Sequence, residues 1–455
     1  MIPATALLLT DLYELAMLET YQASGMDDEA VFDFFVRDLP PGHGYLIAAG
    51  LAQVLATLRD AQFGDEELAW IADSGRFGKG FVEYLHAFRF TGSVHAMREG
   101  TVFFPNEPML RVTAPIPQAQ LLESRIINLL QFQTLIATKA TRCVAAARGK
   151  QLLDFGLRRA HGAEAGLMAA RASWLGGFGG SSTVLAAPRF GVPVFGTMAH
   201  SFIEAHDDEM LAFEHFARTR PENLVLLIDT YDTEGSARRL IGLSQRLAAD
   251  GIQIHAVRLD SGNLCKHARR VRRIFDDGGL HGVRIFASGG LDEHVIAALL
   301  ADGAPIDGFG IGSRLDTSAD APYLDCAYKL AEYAGRPRRK HSEHKATWPG
   351  RKQVVRRYDG AGRMMKDRVQ RDDEPVDGEP LLELVMEHGN LVPPIPTLAD
   401  ARKHCAEQLG RLPPALRALD AVPDYPVEIS DRIRALAREA DVLIERQQLA
   451  GRGGE

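Results

Sequence analysis

Short apolar runs alternate with longer mixed stretches through the middle of the chain, between residues 151 and 315. Successive runs start roughly one βα unit apart, as parallel strands joined by helical crossovers require. The intervening stretches, for example 237–250 and 292–300, are long enough to hold a helix. The alternation predicts a (β/α) barrel whose strands lie at 152–153, 192–195, 224–228, 252–257, 283–286 and 306–309.

The pattern before this region is mixed. Asp11, with Glu14 three residues later, has the spacing of a capping box and predicts a helix over 12–21. A strand is predicted over 30–36, and apolar residues at helical spacing predict one long helix or two consecutive helices over 118–147. Runs punctuated by Gly and Pro predict a small antiparallel sheet from 93–96, 102–104 and 110–112.

At 455 residues the chain exceeds the usual size of a single core, so two or three domains are expected. Beyond the barrel region the sequence is first basic and then acidic with prolines, and a final helix is predicted over 429–448. We therefore predict an α/β protein with an N-terminal α+β domain at 1–118, a (β/α) barrel catalytic domain at 119–328 and a C-terminal segment at 329–455 that packs on both.

Composition narrows the function classes. Hydrophobic residues make up 46% and charged residues 25%, which is typical of globular proteins. The net charge of −8 argues against a nucleic-acid partner. The four cysteines are far apart, so neither a disulfide framework nor a zinc site is expected, and a cytoplasmic location is favoured. The sequence shows neither a signal peptide nor an apolar run of bilayer length, so no membrane partner is expected.

Residues capable of chemistry follow each apolar run. In a (β/α) barrel the carboxyl ends of the strands meet at one mouth, where such enzymes place their sites. Any one of these residues is also typical of an ordinary loop, but six convergent positions favour a shared site. They are Arg158, His200, Asp229, Arg258 with Asp260, Ser288 with Gly289 and Gly290, and Gly310 with Gly312 and Ser313.

Two glycine-rich turns within this set predict a phosphate-binding site. One contains Ser288, Gly289 and Gly290, and the other contains Gly312 and Ser313. Glycine lets backbone N–H groups approach an anion closely. A single turn of this kind is explained equally well by a tight reversal of the chain, whereas two after successive late strands favour a phosphate.

Asp229 and Asp260 come directly after apolar strands. Carboxylates at neighbouring strand ends suit ribose hydroxyls or a Mg²⁺ ion. The alternative is that each caps the following helix, as aspartate often does. Arg258 lies two residues before Asp260 and thus on the same face of the strand, which favours a functional role for Asp260.

Four motifs stand in one order: Asp-Phe-Gly-Leu-Arg-Arg at 154–159, Gly-Gly-Phe-Gly-Gly-Ser-Ser at 176–182, Gly-Val-Pro at 191–193 and Gly-Thr-Met-Ala-His-Ser-Phe at 196–202. That order resembles the nicotinate phosphoribosyltransferase family, whose members join nicotinic acid to the ribose 5-phosphate of phosphoribosyl pyrophosphate. The resemblance also covers 10–14, 34–37, 123–131 and 257–262. It implies an irregular barrel of the type II phosphoribosyltransferase kind and a homodimer with shared active sites.

The resemblance implies a role for each candidate. Nicotinate would be held by Phe155, Arg158 and Arg258, with Tyr13 supplied by the neighbouring subunit. Pyrophosphate would leave the anomeric carbon beside cations, and the resemblance places Arg37 there from across the dimer. The other candidates are Arg158 and Arg258, with Lys139 and Lys340 as weaker ones. Mg²⁺ is the expected metal, at Asp229 and Asp260, and the 5-phosphate would lie on Ser288, Gly289, Gly290, Gly312 and Ser313.

Ser182 bears on the choice of base. The related nicotinamide-using enzyme carries an aspartate in the corresponding run, where it accepts a hydrogen bond from the amide. An aspartate would repel a carboxylate, whereas a serine can donate to one. The serine therefore favours nicotinate as the substrate.

By the resemblance, His200 matches the histidine that the family phosphorylates. A single histidine after a strand is more often structural, but a neutral imidazole at a barrel mouth is able to attack the γ-phosphate of ATP. The resemblance thus implies ATP as a co-substrate in a ligase-type reaction that opens NAD salvage. Zinc is disfavoured because no second His or Cys lies at ligand spacing.

Three other interpretations stay open. Nicotinamide or quinolinate enzymes share the barrel, although the quinolinate enzyme lacks the ATP-linked histidine motif and is usually shorter. A type I phosphoribosyltransferase would need adjacent acids after an apolar strand, and the run at 228–235 has none. A catalytically silent homologue that binds a pyridine nucleotide would be expected to lose some of Arg158, His200, Asp229 and Asp260, all of which are present.

Overall fold

The computed structural model describes residues 6–340, 347–420 and 422–452. The chain divides into two compact units, Ile136–Pro322 and the combination of Met1–Leu135 with Tyr323–Glu455. The predicted boundaries lay at 118/119 and 328/329. The observed division differs from the prediction in that the whole of the first and last predicted segments belongs to a single unit, together with 119–135 and 323–328.

Each unit is built from both helices and strands. The strands are β1 Glu29–Val36, β2 Leu46–Ile47, β3 Ser93–Ala96, β4 Val102–Phe103, β5 Pro108–Pro115, β6 Gln151–Asp154, β7 Gly180–Ser181, β8 Leu224–Leu227, β9 Ile254–Leu259, β10 Arg284–Ala287, β11 Gly308–Ile311, β12 Cys326–Tyr333, β13 Arg336–Pro337, β14 Lys352–Tyr358, β15 Met364–Arg371, β16 Glu379–Pro380, β17 Glu383–Glu387, β18 Asn390–Leu391 and β19 Val427–Ile429.

The helices are α1 Leu12–Ala23, α2 Leu51–Arg59, α3 Asp65–Asp73, α4 Lys79–His86, α5 Ile116–Leu121, α6 Glu123–Ala147, α7 Ala163–Leu175, α8 Ala186–Phe190, α9 His200–Glu204, α10 Glu209–Thr219, α11 Thr233–Ala249, α12 Leu264–Asp277, α13 Glu293–Ala301, α14 Ser313–Asp316, α15 Leu398–Arg411 and α16 Asp431–Arg452. Two short 3₁₀ helices cover Leu157–Arg159 and Pro414–Arg417. None of these helices has both the length and the apolar content needed to cross a membrane.

The unit Ile136–Pro322 contains a parallel sheet in the order β7-β6-β11-β10-β9-β8. All its neighbouring strands run in the same direction, which confirms the predicted α/β architecture. The predicted strand at 192–195 was wrong as a regular strand. It contributes one bridge, from Val194 to Ser181, because Pro193 has no N–H with which to continue the ladder. Strand β7 was not foreseen, since Gly and Ser carry no apolar signal.

Three crossover helices of this unit, α11, α12 and α13, begin with side-chain caps. Asp232 accepts a hydrogen bond from the N–H of Gly235 at 3.0 Å, and Asn263 accepts one from the N–H of Lys266 at 3.0 Å. Asp292 caps α13 in the same way, from Val295 at 2.9 Å. Each cap satisfies a free N–H of the first helical turn and fixes the loop before it. Helix α12 therefore uses Asn263 as its cap, which leaves Asp260 for another role.

The other unit contains a sheet in the order β13-β12-β1-β5-β3-β17-β18. The antiparallel pairing of β3 with β5 confirms two strands of the predicted small sheet. The third was wrong, because β4 pairs with β2 in a separate two-stranded sheet, and β1 pairs with β5 in its place. The sheet is wider than predicted because β12 and β17, from the last part of the chain, add to its two sides. A stack of Phe32 on Tyr328, with ring centroids 4.9 Å apart, joins the early and late strands.

Helix α1 and the consecutive helices α5 and α6 confirm their predictions, but the capping box at Asp11 was wrong. Asp11 accepts a hydrogen bond from the hydroxyl of Ser124 at 2.6 Å. Glu14 is fully buried and accepts one from the Gln120 amide at 3.0 Å, and burial raises the pKa of Glu14 to about 7. Contacts with α5 and α6 thus replace the hydrogen bonds that a capping box would make within α1.

Candidate active site

The residues predicted to carry chemistry gather at one edge of the parallel sheet. Strands β6, β8, β9, β10 and β11 run in one direction, so their carboxyl ends lie on the same side. At or just after these ends stand Phe155, Arg158, Asp229, Arg258, Asp260, Ser288, Gly289, Gly290, Gly312 and Ser313. His200 begins α9, and Ser182 follows β7, where its N–H donates to the carbonyl of Asp154 at 2.8 Å.

Asp229 and Asp260 are joined by a chain of hydrogen bonds. One oxygen of Asp229, Oδ2, accepts from the N–H of Asp260 at 2.8 Å and from the hydroxyl of Ser261 at 2.7 Å. Asp260 Oδ1 in turn accepts from the hydroxyl of Ser288 at 2.5 Å. The second oxygen of Asp229 is buried and receives no donor from the part of the chain that the structure describes. It is therefore available to a hydroxyl or a cation.

An aromatic ring and two guanidinium groups form the next part of the edge. The guanidinium carbon of Arg258 lies 6.0 Å from the ring centroid of Phe155, and its Nη2 donates to the carbonyl of Met198 at 3.3 Å. Burial lowers the pKa of Arg258, Asp260 and Asp229 raise it, and the charge of Arg158 lowers it again. The two guanidinium groups are thus within electrostatic reach of each other. An anion between them would relieve their repulsion.

Phe155 and Arg258 line a cavity of about 690 Å³, and residues of β6, β8, β9, β10 and β11 line it too. Thr197 and Gly310 line it near the same end, and Arg284 lines it near the start of β10. The cavity is roomy for one aromatic ring, since ligand pockets of drug-sized molecules are of about this size. Gly310 keeps it open beside the ring, because a Cβ there would lie 2.4 Å from Phe155.

His200 lies beside the aspartates. Its Nδ1 is 3.1 Å from the hydroxyl of Thr230, and its Nε2 is 4.0 Å from Asp260 Oδ2. The side chain is 38% exposed, so the ring is open to a ligand on one side. Thr230 was not among the predicted residues, although its position directly after Asp229 was a usable signal.

The glycine-rich turn at Gly289 and Gly290 has backbone geometry that favours glycine. Gly289 has φ +90°, and a Cβ there would lie 2.1 Å from the carbonyl oxygen of Asp260. Gly290 has φ +64° with open space around it. Ser288 uses its N–H on the carbonyl of Leu259 at 2.8 Å and its hydroxyl on Asp260. Its observed contacts therefore hold Asp260 rather than leaving a donor for phosphate.

We expect Gly289→Ala to impair the site far more than Gly290→Ala. Both substitutions place alanine at a positive φ, which costs about 1 kcal/mol or more. Only the first also drives a methyl group into the Asp260 carbonyl. Steady-state kinetics of the reaction proposed below should show a KM for the phosphate-bearing substrate at least about tenfold higher for Gly289→Ala than for Gly290→Ala. Equal kinetics for the two variants would contradict the close approach.

Three family models match the chain in order. The nicotinate phosphoribosyltransferase N-terminal domain matches residues 8–131, the nicotinate phosphoribosyltransferase family matches 150–337, and the nicotinate phosphoribosyltransferase C-terminal domain matches 374–437. The chain belongs to the nicotinate phosphoribosyltransferase family. The resemblance carried by the motifs at 154–159 and 196–202 is thereby confirmed.

Relatives of the family agree with this over nearly the whole chain. Nicotinate phosphoribosyltransferase pncB2 of Mycobacterium tuberculosis is 47% identical over 428 residues, which cover 94% of this chain and 92% of the relative. The Bacillus subtilis nicotinate phosphoribosyltransferase is 35% identical over 453 residues, with 93% and 92% covered.

Solved structures confirm the fold class. Human nicotinic acid phosphoribosyltransferase superposes with a TM-score of 0.85 at 30% identity, covering 94% of this chain and 99% of that one. Nicotinate-nucleotide pyrophosphorylase from Pyrococcus furiosus gives 0.73 at 27% identity, with 90% and 96% covered. The predicted barrel of the type II phosphoribosyltransferase kind, with its N-terminal and C-terminal additions, is therefore correct.

Some residues predicted from the family resemblance lie in the other unit. Tyr13 is on α1 and is 48% exposed. Arg37 pairs with Asp325, with Nη1 and Oδ1 at 2.9 Å. A pyrophosphate would have to compete with that carboxylate for Arg37, and a role for either residue at the site stays a prediction.

Lys139 does not fit the role of a cation for pyrophosphate. Its side chain is 2% exposed, and its Nζ lies 2.7 Å from Glu293 and 2.6 Å from Asp320. Arg142 holds the other oxygen of Glu293 at 3.0 Å. Both positive charges pair with Glu293, the first residue of α13, just after the turn at Gly289 and Gly290. Lys139 therefore stabilises the start of that helix.

Proposed function

We propose that this member of the nicotinate phosphoribosyltransferase family transfers the phosphoribosyl group of phosphoribosyl pyrophosphate to the ring nitrogen of nicotinate. The products would be nicotinate mononucleotide and pyrophosphate, in the first step of NAD salvage from nicotinic acid. The observation that carries the proposal is the guanidinium group of Arg258 over the ring of Phe155, with Arg158 near enough for its charge to act on Arg258. An aromatic carboxylate matches both features, since its ring packs on Phe155 and its charge relieves the repulsion between the arginines.

The choice of nicotinate over nicotinamide rests on charge. An amide would do nothing to relieve the repulsion between the two positive charges, whereas a carboxylate would. Ser182 adds a neutral side chain at the same edge, next to the end of β6. A serine is able to donate to a carboxylate, whereas an aspartate would repel it.

The sugar would lie over the aspartates. The pyridine nitrogen attacks the anomeric carbon, the bond to the pyrophosphate oxygen breaks, and positive charge grows on the ribose ring. The carboxylates of Asp229 and Asp260 are held in place by Ser261 and Ser288 and would stabilise that charge and orient the hydroxyls. Backbone groups of Gly289, Gly290 and Gly312, with Ser313, would receive the 5-phosphate.

A divalent cation is compatible with this edge. Within the described ranges no cluster of three or more His, Cys, Asp or Glu side chains is able to hold a metal on its own. Mg²⁺, however, commonly binds through one or two carboxylates while phosphate oxygens and water complete its shell. The unpaired oxygen of Asp229, with Asp260, would hold Mg²⁺, which would neutralise charge on the leaving pyrophosphate.

ATP would act through His200. If Nδ1–H donates to the hydroxyl of Thr230, the lone pair of Nε2 is free to attack a phosphorus atom. The nitrogen–phosphorus bond would form at Nε2 as the γ-phosphate leaves ADP. We further propose a homodimer in which Tyr13 and Arg37 serve the partner's site. The cytoplasmic location and the exclusion of nucleic-acid and membrane partners stay predictions from composition.

The test is product formation by the purified chain with phosphoribosyl pyrophosphate and Mg²⁺, offering nicotinate, nicotinamide or quinolinate, each with and without ATP. We expect mononucleotide from nicotinate alone, at a rate that rises with ATP. Product from nicotinamide or quinolinate would instead make the chain another pyridine phosphoribosyltransferase. A chain that binds nicotinate mononucleotide but forms no product from any base would be a silent homologue.

A further inference from the structure

Two buried carboxyl groups meet behind the segment that carries Phe155 and Arg158. Asp154 ends β6 and is fully buried, and Asp316 ends α14 and is 1% exposed. Asp154 Oδ1 accepts from the N–H of Gly156 at 2.7 Å, and its Oδ2 accepts from the hydroxyl of Ser181 at 2.6 Å. The carboxyl group of Asp316 lies next to this arrangement, because a Cβ at Gly156, whose N–H donates to Asp154, would lie 2.1 Å from the Asp316 carboxyl carbon.

The carboxyl group of Asp316 has no other polar partner in the described part of the chain. Neither of its oxygens receives an N–H or O–H group from any residue that the structure describes. Two carboxylates cannot form a hydrogen bond unless one of them carries a proton, and two adjacent negative charges away from water are strongly unfavourable. Because Asp154 already accepts two hydrogen bonds as an acceptor, Asp316 is the member that carries the proton and donates.

The surroundings favour that proton. Burial, followed by the charge of Asp154, raises the pKa of Asp316 to about 10. Charged residues on the elements packed against the pair are Arg158 and Arg159 of the 3₁₀ helix, Glu164 and Arg171 of α7, and Arg314 of α14. The shift in the pKa of Asp316 arises from burial and Asp154, without a contribution from these five charges.

The pair lies between two segments of the proposed site. A Cβ at Gly156 would lie 2.1 Å from the carboxyl carbon of Asp316, so the backbone after Phe155 runs directly against that group. On the other side, the N–H of Asp316 donates to the carbonyl of Gly312 at 3.1 Å. The N–H of Phe155 also donates to the carbonyl of Ile311 at 2.7 Å. The segment that carries Phe155 and Arg158 is thus held against the segment that carries Gly312 and Ser313.

We propose that Asp316 is a positioning residue that, as a neutral carboxylic acid, donates to Asp154 and so holds the segment of Phe155 and Arg158 in register with Gly312 and Ser313. It acts through Asp154 and Gly156 and does not itself touch a substrate. The proposal rests on the proposed function and deepens it. One proton, shared between Asp316 and Asp154, would fix the position of the pyridine-binding residues relative to the residues that bind the 5-phosphate.

Kinetics of two variants test the positioning role. Asn at 316 keeps an N–H donor without a titrating proton, so Asp316→Asn should hold KM for nicotinate within about twofold of the parent chain. Asp316→Leu is similar in size but donates nothing, and should raise KM for nicotinate by about tenfold or more with a smaller change in kcat. Unchanged KM in Asp316→Leu, or equal impairment in both variants, would overturn the role.

A second measurement detects the proton without any catalytic assay. The folded pKa of Asp316 lies above its ordinary value, so the folded chain holds one more proton than the unfolded chain between about pH 4 and pH 10, and Asp316 contributes less stability as pH rises through that window. Asp316→Asn removes this dependence. Its unfolding equilibrium constant relative to the parent chain should fall by about tenfold per pH unit in urea titrations between about pH 5 and pH 9.

The exposed aspartate Asp277, at the end of α12, supplies the matched control. Asp277→Asn should follow the parent chain at every pH in that range. A stability difference between Asp316→Asn and the parent chain that does not vary with pH would show that Asp316 carries no proton and would overturn the proposal. Failure of the proposed function would appear separately. The parent chain would make no mononucleotide, while the unfolding equilibrium constants of Asp316→Asn and the parent chain would still differ in their dependence on pH.

Discussion

Replacing Arg258 by Met should lower kcat/KM for nicotinate by about two to three orders of magnitude. The side chain is largely buried beside Phe155, and its Nε has no acceptor within the described chain, so it has a donor to offer a carboxylate. Loss of two charge-assisted hydrogen bonds removes about 3–4 kcal/mol, and about 1.4 kcal/mol corresponds to a factor of ten. Steady-state kinetics at varied nicotinate would measure the change, which should fall mainly on KM.

Arg284→Met is the matched control for this experiment. Arg284 lines the same cavity but stands at the start of β10, and its guanidinium carbon lies 5.7 Å from the ring centroid of Phe286. The same substitution there should change kcat/KM for nicotinate by less than about threefold. If both variants lost activity equally, the general charge of the cavity, and not a specific carboxylate contact at Arg258, would govern binding.

Replacing His200 by Ala should abolish the stimulation by ATP while leaving the slow ATP-independent rate within about threefold of the parent chain. The imidazole lies next to Thr230 and Asp260 and is partly exposed, and the proposed sugar contacts do not include it. Product assays with and without ATP would show the loss. Incorporation of the γ-phosphate of labelled ATP into the protein should disappear in the same variant.

His206→Ala controls for the loss of an imidazole in the same part of the chain. His206 contacts the carbonyl of Phe202 at 2.8 Å and His215 at 3.2 Å, and neither partner belongs to the proposed site. ATP stimulation and labelling should therefore survive in His206→Ala. A His200→Ala chain that loses the ATP-independent rate as completely as the stimulated rate would show instead that His200 is needed for binding or folding.

The parallel sheet was largely predictable because its strands are mostly apolar, with one face buried and the other lining the cavity. Such strands are nearly continuous apolar runs, as at 224–228 and 252–257, which became β8 and β9. The residues that follow them, Asp229 and Asp260, were found for the same reason, since the end of a strand also locates the loop. Local sequence was enough to predict a residue's place wherever the burial of a strand and its direction determined that place.

Contacts between distant segments were not predictable. No local pattern indicates that Asp316 would reach Asp154, or that β12 would pair with β1. Lys139 was considered a free cation, because its sequence neighbours do not include the two acids that it pairs with. The capping box at Asp11 failed similarly, because Glu14 is buried against Gln120. In each case a tertiary partner decided the outcome.

The discontinuous unit has a consequence for the order in which the protein is made. Strand β1 leaves the ribosome long before β12, its neighbour in the sheet, whereas Ile136–Pro322 emerges as one uninterrupted stretch. We expect the uninterrupted stretch to fold during translation while β1 keeps one unpaired apolar edge, which is prone to aggregation. Chaperones that hold nascent chains would then protect β1 until the last strands of its sheet have been synthesised.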